Sequence, residues 1–120
     1  MYYTSYFGNI KKIDRSKYKL VCITNSKPSF CDETILDWCF LGPSKDLLYK
    51  YKNKEIDEKE YTDIYMNFLN NKWYEIKDYI IYHQNENIVF LCYEKPNDFC
   101  HRHLLRMFLN EKGIKCEELK

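Results

Sequence analysis

Two thiols, two carboxylates, two imidazoles and a guanidinium fall within the twelve residues Cys92-Tyr93-Glu94-Lys95-Pro96-Asn97-Asp98-Phe99-Cys100-His101-Arg102-His103, a density of reactive groups found nowhere else in the chain. A thiol near cationic groups loses its proton readily, and the thiolate is the nucleophile. A carboxylate just past a buried strand must find a partner or hold a proton, which suits it to acid–base work. An arginine fork clasps a carboxylate or phosphate through two parallel hydrogen bonds. The segment therefore carries the groups needed for thiol or acid–base chemistry on an anion.

The elements on either side place these groups. After Asn87, Ile88-Val89-Phe90-Leu91 is a continuous apolar run, as in a strand buried on both faces. Leu104, Leu105, Met107, Phe108 and Leu109 follow with no breaker before Gly113, which predicts a helix from around Asp98 closed by a glycine. The reactive block is thus a strand-to-helix turn, and in open α/β sheets ligands bind at such turns, beyond the carboxyl ends of the strands.

Elsewhere, Met1 to Phe7 and Leu20 to Thr24 read as strands, and Ile114 to Leu119 as a last one. Ser44 can cap a short helix carrying Leu47, Leu48 and Tyr51. Asp57 with Glu60 has capping-box spacing ahead of Tyr61, Ile64, Tyr65, Phe68 and Leu69, the clearest helical stripe in the chain. Trp73, Ile76 and Ile80 continue helical spacing to about His83. Ser29 to Phe40 has no periodicity that selects helix or loop. This order predicts an α/β fold, one compact domain over residues 1–120, with a small mostly parallel sheet of about four strands flanked by helices. Parallel strands would gather Thr4, Ser5 and Tyr6, the turn Asn25 to Lys27, and Glu94 at one edge.

Within the turn, helical geometry assigns directions, because positions three or four apart share a face. Cys100 should face with His103 and Leu104, and His101 should run along the stripe of Leu104, Leu105 and Phe108. Cys100, in a first helical turn near Arg102 and the histidines, is a candidate nucleophile, against the reading of a small packing residue. His101 is either a site imidazole or a core histidine satisfied by a backbone carbonyl. Glu94 is a general acid–base group or the partner of Arg102, and Arg102 with the first-turn N–H groups can instead hold a ligand anion. Asp98 is most simply an N-cap. The candidate catalytic residues are Glu94, Cys100 and His101; the candidate ligand-binding residues are Thr4, Ser5, Tyr6, Lys27 and Arg102.

Zinc is not expected: the C-x7-C-H-x-H spacing of Cys92, Cys100, His101 and His103 fits no usual structural pattern, and adjacent helical side chains point apart. Cys100 and Arg106 share the C-x5-R spacing of tyrosine phosphatases, but the five residues between lack the glycine and small residues that such a loop needs. No cofactor is called for.

Composition narrows the class. Nineteen basic against eighteen acidic residues leave a net charge of +1, which argues against duplex nucleic-acid or membrane binding by bulk charge. No apolar run suits a signal peptide or a membrane span, so the chain is expected to be cytoplasmic, with its six cysteines reduced.

Tyr3-Thr4-Ser5-Tyr6-Phe7, Leu41-Gly42-Pro43-Ser44 and above all the block from Cys92 to His103 resemble the family catalogued as domain of unknown function 488. The resemblance extends over nearly the whole chain. It implies a small bacterial or phage α/β domain, brings no established reaction, and maps shared polar positions onto Thr4, Ser5, Glu94, Cys100, His101 and Arg102. Relatives usually carry a small residue where this chain has Arg106. The leading expectation is a site at the strand ends for a small anionic ligand, of nucleotide or nucleic-acid-fragment type, with acid–base or thiol chemistry. The competing one is a non-enzymatic binding or interaction protein whose Glu94 and Arg102 form a structural network.

Overall fold

The structure is a computed structural model that describes residues 1–93 and 99–119. Five strands form one sheet in the order β3-β2-β4-β1-β5, with β1 at Tyr2–Tyr6, β2 at Lys19–Cys22, β3 at Leu36–Asp37, β4 at Ile88–Cys92 and β5 at Cys116–Glu118. Every pairing is parallel. The fold class is α/β, as the alternation of strands and helices predicts. The sheet has one strand more than expected, because β3 is a two-residue strand within the stretch that lacks periodicity.

Central β4 explains its own composition. All five of its residues are buried, with neighbours β2 and β1 on either side. Ile88, Phe90 and Cys92 pack in the core on the helical side, while Val89 and Leu91 join Phe7, Ile13, Leu20, Cys22, Cys31 and Ile35 on the other. A strand covered on both faces has no solvated side on which to place polar residues, so it reads as an unbroken apolar run.

Four helices supply the larger core: α1 (Lys45–Lys52), α2 (Glu58–Asn71), α3 (Trp73–Tyr82) and α4 (His101–Glu111). The hydroxyl of Ser44 accepts from the Leu47 N–H at 3.1 Å and the carboxylate of Asp57 from the Glu60 N–H at 2.8 Å, so both predicted caps form. The stripe of α2 places Tyr61, Tyr65 and Leu69 in the core beside Leu105 and Phe108 of α4. Full burial of each large side chain contributes roughly 1.5–3 kcal/mol.

Two glycines are fixed by geometry. Gly113 takes φ +82° just past α4, where its N–H donates to Asn110 O (3.1 Å) and the Ile114 N–H to Leu109 O (2.9 Å). That paired pattern closes the helix and needs a left-handed residue. Gly42 lies against the backbone after β2: a Cβ there would stand 2.6 Å from Thr24 C and 2.7 Å from Asn25 N. The Asn25 amide donates to Pro43 O at 3.0 Å and the Tyr65 hydroxyl to Leu41 O at 2.6 Å, so Leu41-Gly42-Pro43 is strapped over the end of β2.

Candidate functional site

At the carboxyl ends of β1 and β4, β-sheet register brings Thr4 opposite both Phe90 and Glu118, and Tyr6 opposite Cys92. Above them lies Arg102, in the first turn of α4 and with no solvent exposure at all. Its Nε and Nη2 donate to the two oxygens of Glu118 at 3.2 and 3.0 Å, its Nη1 donates to Cys92 Sγ at 3.0 Å, and the guanidinium stands 5.8 Å from the Tyr6 ring centre. Thr4 Oγ1 donates to Glu118 Oε1 at 2.5 Å. Glu118 was not among the candidates. Its signal was the alternation in β5, where Cys116 is buried, Glu117 exposed and Glu118 half-buried, a period of two at a strand too short to stand out.

Glu94 and Asp98 lie outside the described residues, and with Glu94 its pairing with Arg102. The N-cap of α4 is Cys100, two residues beyond Asp98, in extended backbone (φ −150°, ψ 145°). This corrects the directions expected in the turn. Cys100 precedes the helix, so the helical spacing that would place it with His103 does not apply to it, and its side chain can meet that of its neighbour. Its Sγ is 3.8 Å from His101 Nδ1.

The His101 ring is held at both edges. Its Nε2 lies 2.7 Å from the carbonyl oxygen of Ile23, which can only accept, so Nε2 carries the hydrogen and Nδ1 presents a lone pair toward the Cys100 sulfur. The carbonyl bond expected of a core histidine is present, and the Cys100 sulfur lies at the other edge of the ring. Burial lowers the His101 pKa to about 4, with smaller downward contributions from the Arg102 and His103 charges and an opposing one from the Ile23 bond. The imidazole is neutral at pH 7, the form that takes up a proton or binds a metal. Tyr65 packs against the ring at 5.7 Å between centres.

The sulfurs of Cys92 and Cys100 meet, with Cα atoms 7.6 Å apart, wider than the roughly 4.4–6.8 Å that a disulfide spans without backbone movement. Cys22, Cys31, Cys39 and Cys116 are free. A separation of eight residues in sequence gave no hint of contact, because only the placing of the end of β4 beside the head of α4 brings the two together. Burial pushes the Cys116 thiol up to about 12 and raises Cys31 as well, so neither is activated.

The remaining candidates divide by face. Thr4 points to the Arg102 side. Ser5, its neighbour along the strand, points to the opposite face, accepting from Asn9 Nδ2 at 3.0 Å and donating to Leu119 O at 3.4 Å. Tyr6 is half-buried under the guanidinium. Lys27 lies half-buried in the turn after β2, where its charge is felt by the Cys31 thiol. Beside the site, Phe7 packs edge-on against Phe30 (5.2 Å) and Tyr93 (5.0 Å), both of which are more than half exposed.

Together these observations define an α/β domain whose thiols, imidazole and guanidinium meet at the carboxyl edge of its central strands. The chain belongs to the DUF488 family: residues 24–113 match the model DUF488-N3a, described as the active DUF488-N3 subclade. The match bears out the resemblance seen in the reactive block. It takes in Cys92, Cys100, His101 and Arg102, whereas Thr4, Ser5, Tyr6 and Glu118 fall outside it. No curated protein and no solved structure matches the chain significantly. Among the described residues, no helix is long and apolar enough to cross a membrane.

Proposed function

We propose that the protein binds a small anionic ligand of nucleotide type, free or as a nucleic-acid fragment, at the carboxyl ends of β1 and β4, and acts on it with the reduced thiol of Cys100 and the imidazole of His101. The observation that carries this reading is the Ile23 carbonyl bond, which turns the basic Nδ1 of His101 toward Cys100 Sγ. In the dithiol form the neutral Nδ1 is placed to accept the Cys100 proton as the thiol attacks, so the imidazole acts as a general base within the step and not through a standing ion pair. Arg102 acts from beneath as a fixed positive charge and a donor to the Cys92 sulfur. Glu94, two residues after Cys92 in sequence, is assigned the role of second acid–base group. The exposed rings of Phe30 and Tyr93 offer a stacking surface for a base at the same edge. The word "active" in the description of the matched subclade agrees with this reading. We place the protein in the cytoplasm, where reducing conditions keep the dithiol open.

The test is a thermal-shift screen of reduced protein against nucleotides, short single-stranded oligonucleotides, sugar phosphates and inorganic phosphate. A nucleotide present at 100 times its dissociation constant should stabilise by about 2.7 kcal/mol. Phe30→Ala should weaken nucleotides more than inorganic phosphate. If no anion raises Tm in wild type, the ligand reading is lost. The complete burial of Arg102 and its two bonds to Glu118 favour one second reading, in which the network only fixes the turn of an interaction protein. Under it Arg102→Ala unfolds the edge and no anion binds.

A further inference from the structure

We propose that the reduced protein holds one thiophilic divalent cation of the zinc type between Cys92 Sγ, Cys100 Sγ and His101 Nδ1, with the fourth coordination position left for water or the anionic ligand. Only the occupancy of that fourth position by an anion rests on the function proposed above; the cation site stands on its own geometry.

The three donor atoms lie within 4.8 Å of one another and all three residues are buried. They come from the last residue of β4, the N-cap of α4 and its first helical residue, two rigid elements of the core. Zinc bonds of about 2.3 Å to sulfur and about 2.0 Å to nitrogen, at tetrahedral angles, set a sulfur-to-nitrogen edge of roughly 3.5 Å. Cys100 Sγ and His101 Nδ1 are already 3.8 Å apart. A ligating histidine characteristically donates its other N–H to an outer acceptor that fixes the ring, and Ile23 O fills that role at 2.7 Å. Arg102 Nη1, 3.0 Å from Cys92 Sγ, donates to the same sulfur and would ease its thiolate charge. The spacing argument against zinc assumed that Cys100 and His101 are consecutive helical residues; the extended backbone of Cys100 removes that objection. Three protein ligands of the Cys2His kind are the pattern of catalytic rather than structural zinc. The cation would take Cys100 Sγ and His101 Nδ1, the pair that the thiol chemistry proposed above needs, so the cation-bound form would hold the anion without that nucleophile; a disulfide, which uses both sulfurs, likewise excludes the cation.

The experiment titrates Co2+, then Zn2+, into full-length protein that has been reduced, stripped with chelator and kept anaerobic. One equivalent of Co2+ should produce thiolate-to-cobalt charge-transfer absorption with tetrahedral visible bands, and Zn2+ should bleach it. Cys92→Ser and Cys100→Ser should each diminish or abolish the charge-transfer band, whereas Cys39→Ser, which alters the separate Cys22/Cys39 sulfur pair at 4.0 Å, should leave it intact. Protein oxidised with diamide, which takes the two electrons and two protons of the dithiol as the disulfide forms, should bind no Co2+. Failure of reduced wild type to bind Co2+, binding without thiolate charge transfer, or a band that survives in both Cys92→Ser and Cys100→Ser overturns the proposal, and the wild-type spectrum decides even if a variant fails to fold. Anion stabilisation measured on chelated protein reports separately on the ligand reading.

Discussion

The two ends of the parallel sheet both carry charge, yet they use it differently. At the amino ends of β2 and β4 a cavity of about 710 Å³ is lined by Arg15, Lys17, Lys19, Asp32 and Glu86 among others. Its ion pairs, Arg15 with Asp32 at 3.4 Å and Lys19 with Glu86 at 3.0 Å, join side chains that are more than a third exposed. At the carboxyl end Arg102 and Glu118 are also 3.0 Å apart, but their side chains are 0% and 15% exposed. Between Lys19–Glu86 and Arg102–Glu118 the distance is the same and solvation is not. An exposed pair exchanges water for a partner at little net gain, whereas a buried guanidinium makes its surroundings intolerant of any missing partner. The opening at the amino ends is therefore the less informative region: reactive groups have been desolvated and oriented at the other end.

Removing charge at each end should break the comparison most visibly if it is wrong. Arg102→Ala strands the Glu118 carboxylate under the helix and is expected to cost about 3–5 kcal/mol in urea denaturation. The double variant Arg102→Ala/Glu118→Gln should recover part of that loss, since the stranded charge is gone. Equal losses in the single and double variants would show that packing and not charge is responsible.

The next effect is a pH dependence. His101 has a folded pKa of about 4 against an unfolded value of 6.5, so below pH 6.5 the unfolded chain takes up a proton that the native state refuses. Stability from this group is fully present above pH 6.5 and declines as pH falls toward 4, by on the order of 3 kcal/mol. His101→Gln should flatten that part of the stability profile relative to wild type. Parallel profiles for the two proteins would refute the burial of the imidazole.

Gly42→Ala tests the strap that holds the Ile23 end of β2 in place. A methyl group 2.6 Å from the backbone of Thr24 must push the strands of chain apart, at a cost of roughly 1–3 kcal/mol. The smallest change is expected at the opposite end. Lys19→Ala should move stability by less than about 1 kcal/mol, and that difference should shrink further in high salt. A loss comparable to that of Arg102→Ala would erase the distinction between the two ends.

Much of this was legible in the residues themselves. The short apolar run from Ile88 reads as a strand covered on both sides, the Asp57 and Ser44 caps precede stripes of helical period, and Gly113 marks where α4 stops; each is a local rule acting over a few residues. The family and the location of the site followed from a block contiguous in sequence. What local pattern could not supply were contacts between distant segments. Glu118 reaches Arg102 only because β5 pairs with β1, and Ile23 reaches His101 only because β2 neighbours β4. The orientation of Cys100 turned on a single pair of dihedral angles at the head of α4, where one residue outside the helix instead of inside it changes which side chains can meet. Sequence thus determined which groups are present and which elements carry them, because periodicity and capping are short-range. Tertiary structure alone decided which thiol, imidazole, guanidinium and carboxylate share a site, because that depends on strand order and on burial, to which residues from both ends of the chain contribute.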